Sequence, residues 1–87
     1  IDLHTSLGSF WSNGKEAEFV KSFPTEVKFV TGAGDVWGAA NILGYLGGLE
    51  PKERLLFANA ASSLYVGNSN GIPPTMQEVL SLATAAL

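Results

Sequence analysis

The chain has 87 residues, of which 5 are basic and 8 acidic, and its formal net charge is −3. Because the basic side chains are scattered along the sequence, this charge argues against nucleic acid or an anionic membrane surface as the main partner. The sequence has no cysteine and only one histidine, His4, which excludes disulfides, thiolate metal sites and zinc sites built from several histidines.

The first part of the sequence is predicted to form β structure. Residues 1–4 fit a short strand and residues 5–8 a loop. Residues 9–12 and 15–20 are predicted to pair as a hairpin, because they flank Asn13-Gly14. Asn-Gly is the residue pair that most easily accepts the positive φ angles of a two-residue hairpin turn.

The next two predicted elements are a strand and a helix. Polar and apolar side chains alternate over residues 26–30, which predicts a half-buried strand. Residues 34–46 are predicted to form a helix that is apolar nearly all round, so we expect it to be buried on several sides. Its internal glycines, Gly38 and Gly44, indicate close approach to the helix backbone by a neighbour or a ligand, since each costs about 1 kcal/mol relative to alanine.

Two further helices follow. Pro51 fits the first position of a helix that is predicted to run to about Val66, because its missing N–H does no harm there. Thr75 and Glu78 form a capping-box pattern at the start of the next helix. One apolar stripe is predicted along that helix: Met76, Val79, Leu80, Ala83 and Leu87. Strands followed by helices in this order predict an α/β or α+β fold.

The composition suggests that the chain is a buried portion of something larger. Hydrophobic residues make up 46% of the chain and charged residues 15%, against about 25% charged residues in typical soluble domains. A domain of this size buries only a little over 60% of its unfolded surface. No targeting segment is visible, and the longest mainly apolar stretch is short of the roughly 20 residues that span a bilayer. We therefore expect a cytoplasmic protein of which this chain is one incomplete domain.

The sequence VTGAGD, residues 30–35, is predicted to join a strand to a helix. Its glycines permit a tight turn and are expected to leave the amides of Gly32, Ala33 and Gly34 uncovered at the positive end of the helix dipole. Such a backbone anion site suits a phosphoryl group in transfer. Asp35, within one turn of it, can then accept a proton from the attacking hydroxyl as a general base.

A simpler interpretation of Asp35 stays open from the residues alone. A carboxylate in the first turn of any helix is favourable by about 0.3–1 kcal/mol. The motif also lacks the lysine of a P-loop and the GxGxxG spacing of dinucleotide-binding folds.

The residues around this turn resemble a known family. TGAGD followed by VWGAA resembles the C-terminal signature of the ribokinase-like, or PfkB, carbohydrate kinases. LEPKERLLFANAASSLYV is similar to the helix that follows in that family, and GIPPTMQEV to its closing loop and final helix. SLGSFW resembles its TLGxxG loop, and the predicted hairpin lies where the family places two strands. The resemblance covers nearly the whole chain in order.

This resemblance implies a three-layer α/β/α fold, of which the chain would be the C-terminal nucleotide-binding and catalytic portion. It implies ATP, or sometimes ADP, as phosphoryl donor, Mg²⁺ as cofactor, and a sugar or nucleoside hydroxyl as acceptor. Asp35 would be the general base and Gly32, Ala33 and Gly34 the anion hole. The residues expected at the nucleotide are Thr31, Ser6, Gly8, Asn59, Ala60 and Ser63. The rest of the parent chain would be a partner, and the resemblance is compatible with a homo-oligomer.

Some residues depart from the family pattern. Phe29 and Val30 replace a pair that often helps to hold a monovalent cation, so the resemblance does not carry potassium activation over to this chain. Trp11 stands where the TLGxxG loop has its last glycine. The family's sugar-binding region and NxxE-type magnesium motif are absent, so the chain alone is expected to be inactive. Asn59 has an alternative role as a buried, internally bonded amide, and His4 is expected to be structural.

Three functions are therefore compared: a sugar kinase, a nucleotide-binding module without phosphotransfer, and a structural remnant. An intact Asp35 after GAG favours the first, because a decayed site has no need of that carboxylate.

Overall fold

The computed structural model describes residues 1–86, which form an antiparallel sheet followed by a layer of helices. The sheet is a meander in the order β1-β2-β3. The elements are β1 (Asp2–His4), β2 (Gly8–Ser12), β3 (Ala17–Lys21), α1 (Ala33–Leu46), α2 (Pro51–Val66) and α3 (Met76–Ala85). Helix α2 packs against β2, β3, α1 and α3, so it lies at the centre of the chain. Within residues 1–86, no helix is both long and apolar enough to cross a membrane.

The hairpin between β2 and β3 is confirmed, but its predicted two-residue turn is wrong. The strand register pairs Ser12 with Ala17, which leaves four residues, 13–16, in the loop. The Oδ1 atom of Asn13 accepts hydrogen bonds from the N–H groups of Lys15 and Glu16, at 2.9 and 2.8 Å. Of the two turn residues only Gly14 has a positive φ, at 90°. The asparagine side chain therefore caps a longer loop instead of entering the left-handed region.

The predicted strand over residues 26–30 is also wrong, since no part of the segment from residue 22 to residue 30 is a strand. The N–H groups of Lys28 and Phe29 both donate to the carbonyl of Val66, at 2.7 and 3.0 Å, at the end of α2. A strand needs a neighbouring strand to complete its hydrogen-bond ladder. Among residues 1–86 this segment has none, and Val27 and Val30 stay more than half exposed.

Helix α1 begins at Ala33, one residue earlier than predicted, and it is buried on one face only. Its buried residues are Trp37, Ala40, Asn41 and Gly44. The prediction of burial on several sides is wrong for this chain, because Ile42, Tyr45 and Leu46 are 60–74% exposed. The close approach expected at Gly44 is confirmed: a Cβ there would lie 3.0 Å from Cγ of Arg54. At Gly38 a Cβ would meet no atom within 4 Å.

A buried polar network ties the start of the sheet to two helices. Nε of Arg54 on α2 donates to Oδ1 of Asn41 on α1, and Nδ2 of Asn41 donates to Oδ2 of Asp2 on β1, both at 2.9 Å. The Arg54 guanidinium also forms a 3.5 Å ion pair with Asp2. Arg54 is nearly fully buried, so its charge depends on this partner.

Both predicted helix starts after α1 are confirmed. Pro51 occupies the first turn of α2, and Thr75 and Glu78 form a reciprocal capping box on α3. The pKa of the Glu78 carboxyl is lowered because it accepts the Thr75 backbone N–H and lies beside the Thr75 hydroxyl. Of the stripe on α3, Val79 is buried and Ala83 half-buried, whereas Met76 and Leu80 remain about half exposed. Leu87 lies outside the described residues.

The side-chain amide of Asn59 is the junction between the sheet and the helices. Its Oδ1 accepts hydrogen bonds from Oγ of Ser9 at 2.7 Å and from Nε1 of Trp37 at 3.0 Å. Its Nδ2 donates to the carbonyls of Val20 at 2.9 Å and Lys21 at 3.3 Å. The amide can face only one way, because the indole N–H only donates and the carbonyls only accept.

Replacing Asn59 is expected to destabilise the protein strongly. Asn59→Ala should lower the free energy of unfolding by about 3 kcal/mol or more, since each buried polar group left unpaired costs about 1–3 kcal/mol. Urea-induced unfolding followed by circular dichroism measures the change. Gln77→Ala, on the exposed surface of α3, is the control and should change the free energy by less than about 0.5 kcal/mol. A loss no larger than that of the control would contradict the junction role.

Candidate functional site

A tight turn at residues 30–33 precedes α1. The N–H of Ala33 donates to the carbonyl of Val30 at 3.1 Å, and Gly32 has φ 88° and ψ 0°. A positive φ at the third turn position is the feature of a type II turn, and glycine adopts it without strain. Gly32 is also the N-cap of α1, so the turn sets where the helix begins.

The turn leaves some, but not all, of the predicted amides open. The Ala33 N–H is used by Val30, so it is not a free donor in this conformation. For the N–H groups of Gly32, Gly34 and Asp35 the structure shows no acceptor within residues 1–86. A Cβ at Gly34 would meet no atom within 4 Å, so the space beside this residue is open. The positive end of α1 therefore presents backbone donors beside unoccupied volume.

Asp35 lies in the first turn of α1, and its side chain is exposed. The helix has no side-chain cap, and the structure shows no hydrogen bond to the Asp35 carboxylate from any residue in the range 1–86. Hydrogen-bonded capping is thus not its role here, and only the helix dipole stabilises it within the chain. The carboxylate stands at the edge of a groove of about 300 Å³ between α1 and α3, otherwise lined by apolar side chains.

A second cleft, of about 350 Å³, lies beside the turn and is more polar. It is bounded by the loop after β1, the segment after β3, the start of α1 and one face of α2. Of the residues predicted at the nucleotide, Ser6, Asn59 and Ser63 line this cleft, together with Ala33 from the turn. The structure thus brings together residues that lie more than 50 positions apart in the sequence.

Three other residues predicted at the nucleotide do not line this cleft. Ala60 has no exposed surface and belongs to the hydrophobic core. Gly8 is buried under β3, where a Cβ would come within 2.5 Å of the Val20 carbonyl. Thr31 is exposed, and its carbonyl accepts a hydrogen bond from the Tyr65 hydroxyl.

Asn59 lines the cleft but has no hydrogen-bonding position left for a ligand, because both acceptor and both donor positions of its amide are bonded within the chain. Sequence reasoning missed Ser62, which lines the cleft beside Ser63. Residues 59, 62, 63 and 66 share one helix face at spacings of three and four, and all of them line it. Helical periodicity would therefore have selected Ser62 in place of Ala60.

Three further hydroxyls were also missed. Thr5, Ser22 and Thr25 line the same cleft, and the Thr25 hydroxyl is hydrogen-bonded to that of Ser63. His4 lines it too and stacks on Trp37, with ring centroids 4.9 Å apart and planes within 4°. Partial burial lowers the pKa of His4, so the imidazole is neutral at pH 7 and adds no charge to the cleft.

The chain offers few ligands for a metal ion. Across residues 1–86 no three or more histidine, cysteine, aspartate or glutamate side chains come together in a way that could hold one. Asp35 is the carboxylate nearest to the open amides in sequence, and a single carboxylate does not make a magnesium site.

The family model described as pfkB family carbohydrate kinase matches residues 4–78. The ribokinase of Bacillus subtilis is 38% identical over 77 residues, which cover 86% of this chain and 26% of that protein.

Solved structures agree with this match. The ribokinase II of E. coli in complex with ATP and Mg²⁺ is 28% identical, with a TM-score of 0.82 over 92% of this chain and 27% of that one. The ribokinase of Arabidopsis thaliana complexed with ribose and ATP is 34% identical, with a TM-score of 0.82 over 90% of this chain and 26% of that one.

The chain therefore spans about a quarter of the length of these relatives. The structural likeness confirms the predicted α/β fold class, with this chain as part of a ribokinase-like fold. Since the family model covers most of the sequence, the chain belongs to the pfkB family of carbohydrate kinases.

Proposed function

We propose that the full-length protein containing this chain is a sugar kinase, which transfers a phosphoryl group from ATP to a sugar or nucleoside hydroxyl with Asp35 as general base. The observation that carries this proposal is the exposed Asp35 carboxylate, free of hydrogen bonds within residues 1–86, beside open amides at the start of α1. ADP as donor is the alternative within the same chemistry. A cytoplasmic location, where ATP is available, belongs to the proposal.

In this mechanism the acceptor hydroxyl attacks the terminal phosphorus while its proton passes to Asp35. The bond between that phosphorus and the bridging oxygen breaks, and the remaining nucleotide leaves with the bond's electrons. The N–H groups of Gly32 and Gly34 stabilise the charge on the phosphoryl oxygens, helped by the α1 dipole. Ala33 shapes the turn through its bond to Val30 and is not a donor.

The polar cleft is proposed to hold the nucleoside part of the donor. Its volume, about 350 Å³, is in the range of small-ligand pockets. Ser6, Ser62 and Ser63 can offer hydroxyls to the ligand, while neutral His4 and Asn59 form walls. Thr31 supports the turn through its carbonyl. Gly8 and Ala60 act by packing, since both are buried.

Magnesium would neutralise charge between the outer phosphates when it arrives with the nucleotide. Residues 1–86 do not supply a cluster of ligands for it, so its protein ligands would come from the rest of the parent chain.

Two other functions are alternatives. A nucleotide-binding module would retain the cleft and a structural remnant would retain the fold, but neither would transfer a phosphoryl group. For these functions the helix dipole alone accounts for Asp35, whereas the kinase proposal also accounts for the open amides next to it. The acceptor, the metal ligands and further partners would come from the rest of the parent chain, in a domain to which residues 1–87 contribute the nucleotide-binding portion.

Asp35→Asn should abolish turnover and preserve nucleotide binding. In the full-length protein we expect kcat to fall by about 10²–10⁴-fold, the usual contribution of a general base, with ATP affinity changed little. A coupled assay over sugars and nucleosides measures turnover, and calorimetry measures binding. Glu78→Gln is the matched control, since it removes another first-turn carboxylate and should affect stability only. Unchanged turnover in Asp35→Asn would remove Asp35 from this role.

Gly34→Ala tests the anion hole without disturbing the chain itself. A Cβ at Gly34 meets nothing in the structure, and alanine is favoured over glycine in a helix by up to about 1 kcal/mol. We therefore expect equal or higher thermal stability but at least about tenfold lower kcat/KM, because the methyl group would meet the phosphoryl group. Gly38→Ala, equally unobstructed within α1, is the control and should keep full activity. Equal activity in the two variants would contradict the proposed contact.

The isolated 87-residue chain should not phosphorylate sugars. Large apolar side chains such as Leu46, Tyr45 and Ile42 are exposed on α1, so association or poor solubility is also expected. Size-exclusion chromatography and the same coupled assay check both statements. Sugar phosphorylation by the purified chain alone would show that the acceptor site lies within it.

A further inference from the structure

Tyr65 connects the helix that lines the nucleotide cleft to the turn that carries the open amides. It lies near the end of α2, its side chain is buried, and its hydroxyl donates to the Thr31 carbonyl. The same hydroxyl oxygen would lie only 2.9 Å from a Cβ at Gly32. Hence Gly32 is required twice, for its positive φ and for the space that the tyrosine hydroxyl occupies.

Phe29 supports this contact from the other side. Its ring meets the Tyr65 ring edge to face, with centroids 5.6 Å apart and planes at 75°. The Phe29 ring also covers Gly71, where a Cβ would come within 3.0 Å of it and φ is 67°. The backbone of Phe29 is bonded to Val66, the residue after Tyr65. The chain entering the turn is thus held against the end of α2 by main-chain bonds and by a pair of aromatic rings.

The proposed reaction needs two groups of atoms at a constant separation. One wall of the nucleoside cleft comes from α2, with Ser62 and Ser63, whereas the open amides and Asp35 belong to the turn and to α1. A movement of the turn relative to α2 would shift the N–H groups that bind the phosphoryl oxygens, while the nucleoside stayed in place. Errors of about 1 Å in such an arrangement can cost about 10²-fold in rate.

We propose that Tyr65 is a positioning residue for phosphoryl transfer, because its hydroxyl holds the Thr31 carbonyl and thereby sets the position of the Gly32–Asp35 amides relative to the cleft. The inference rests on the proposed kinase function. Tyr65 itself contacts no substrate in this scheme. It acts through the turn, with Phe29 restricting its ring.

The test is Tyr65→Phe in the full-length protein, which removes one oxygen atom and keeps the buried ring. We expect kcat to fall about tenfold and the KM for ATP to change less than about twofold, since an interaction expressed in the transition state is lost. Hydrogen exchange at the Ala33 amide, the one amide of residues 32–35 that is hydrogen-bonded within residues 1–86, should accelerate in this variant. Tyr45→Phe is the control, because Tyr45 is 69% exposed on α1, and it should match the wild type in every measurement.

Phe29→Leu is the second variant and keeps the tyrosine hydroxyl. It should lower kcat by a smaller factor, about two- to threefold, because the ring of Tyr65 is then less restricted. Both variants are compared with the wild type at equal folded fraction, determined from thermal unfolding.

The outcomes separate the two proposals. If the wild type transfers phosphoryl groups and Tyr65→Phe keeps its kcat, the positioning role is overturned. A fall in activity that only follows the folded fraction, with unchanged exchange at the Ala33 amide, overturns it as well. A wild type without phosphoryl transfer to any acceptor instead overturns the kinase function on which the inference rests.

Discussion

The hydrogen bonds of the Asn59 amide determine how the sheet and the first two helices fit together. One side chain joins β2 through Ser9, the end of β3 through two carbonyls, and α1 through the Trp37 indole. Because the Asn59 amide is buried, an element that moved away would lose its bond to the amide and find no water to replace it. The amide therefore specifies one arrangement among those that the apolar contacts would permit. Leu55, Ala58 and Ala60 then fill the core around it.

This arrangement also places the two parts of the candidate site. With α2 held against the sheet, the face that begins at Asn59 continues through Ser62 and Ser63 along the cleft, and Tyr65 reaches the turn before α1. Helix α2 thus lines one side of the cleft and also holds the turn through Tyr65. A fold alone does not specify a reaction, and in this chain the positions of these groups depend on local contacts such as the Tyr65–Thr31 bond.

Local signals in the sequence were sufficient for much of the fold. The hairpin, the Pro51 helix start, the Thr75–Glu78 capping box and the glycine turn before α1 depend on a few neighbouring residues, and all four are present. The hairpin turn was wrong for a local reason, because the Asn13 side chain caps a longer loop, but the other errors occurred where a partner outside the segment decides. Residues 26–30 alternate like a strand but have no ladder partner within residues 1–86, and α1 has an apolar face that nothing in this part of the chain covers.

By itself, the sequence determined the family, the order of the elements and the placement of Asp35 in the first turn of a helix, because these follow from short motifs and backbone preferences. Only the tertiary structure decided which polar groups remain free. It showed that the Ala33 amide is used by Val30, that Asn59 is bonded at every position, that Ser62 lines the cleft and that Tyr65 is bonded to the turn. Whether a donor or acceptor is free can depend on atoms 50 residues away, as in the Ser9–Asn59 bond, and a local sequence pattern does not contain this information.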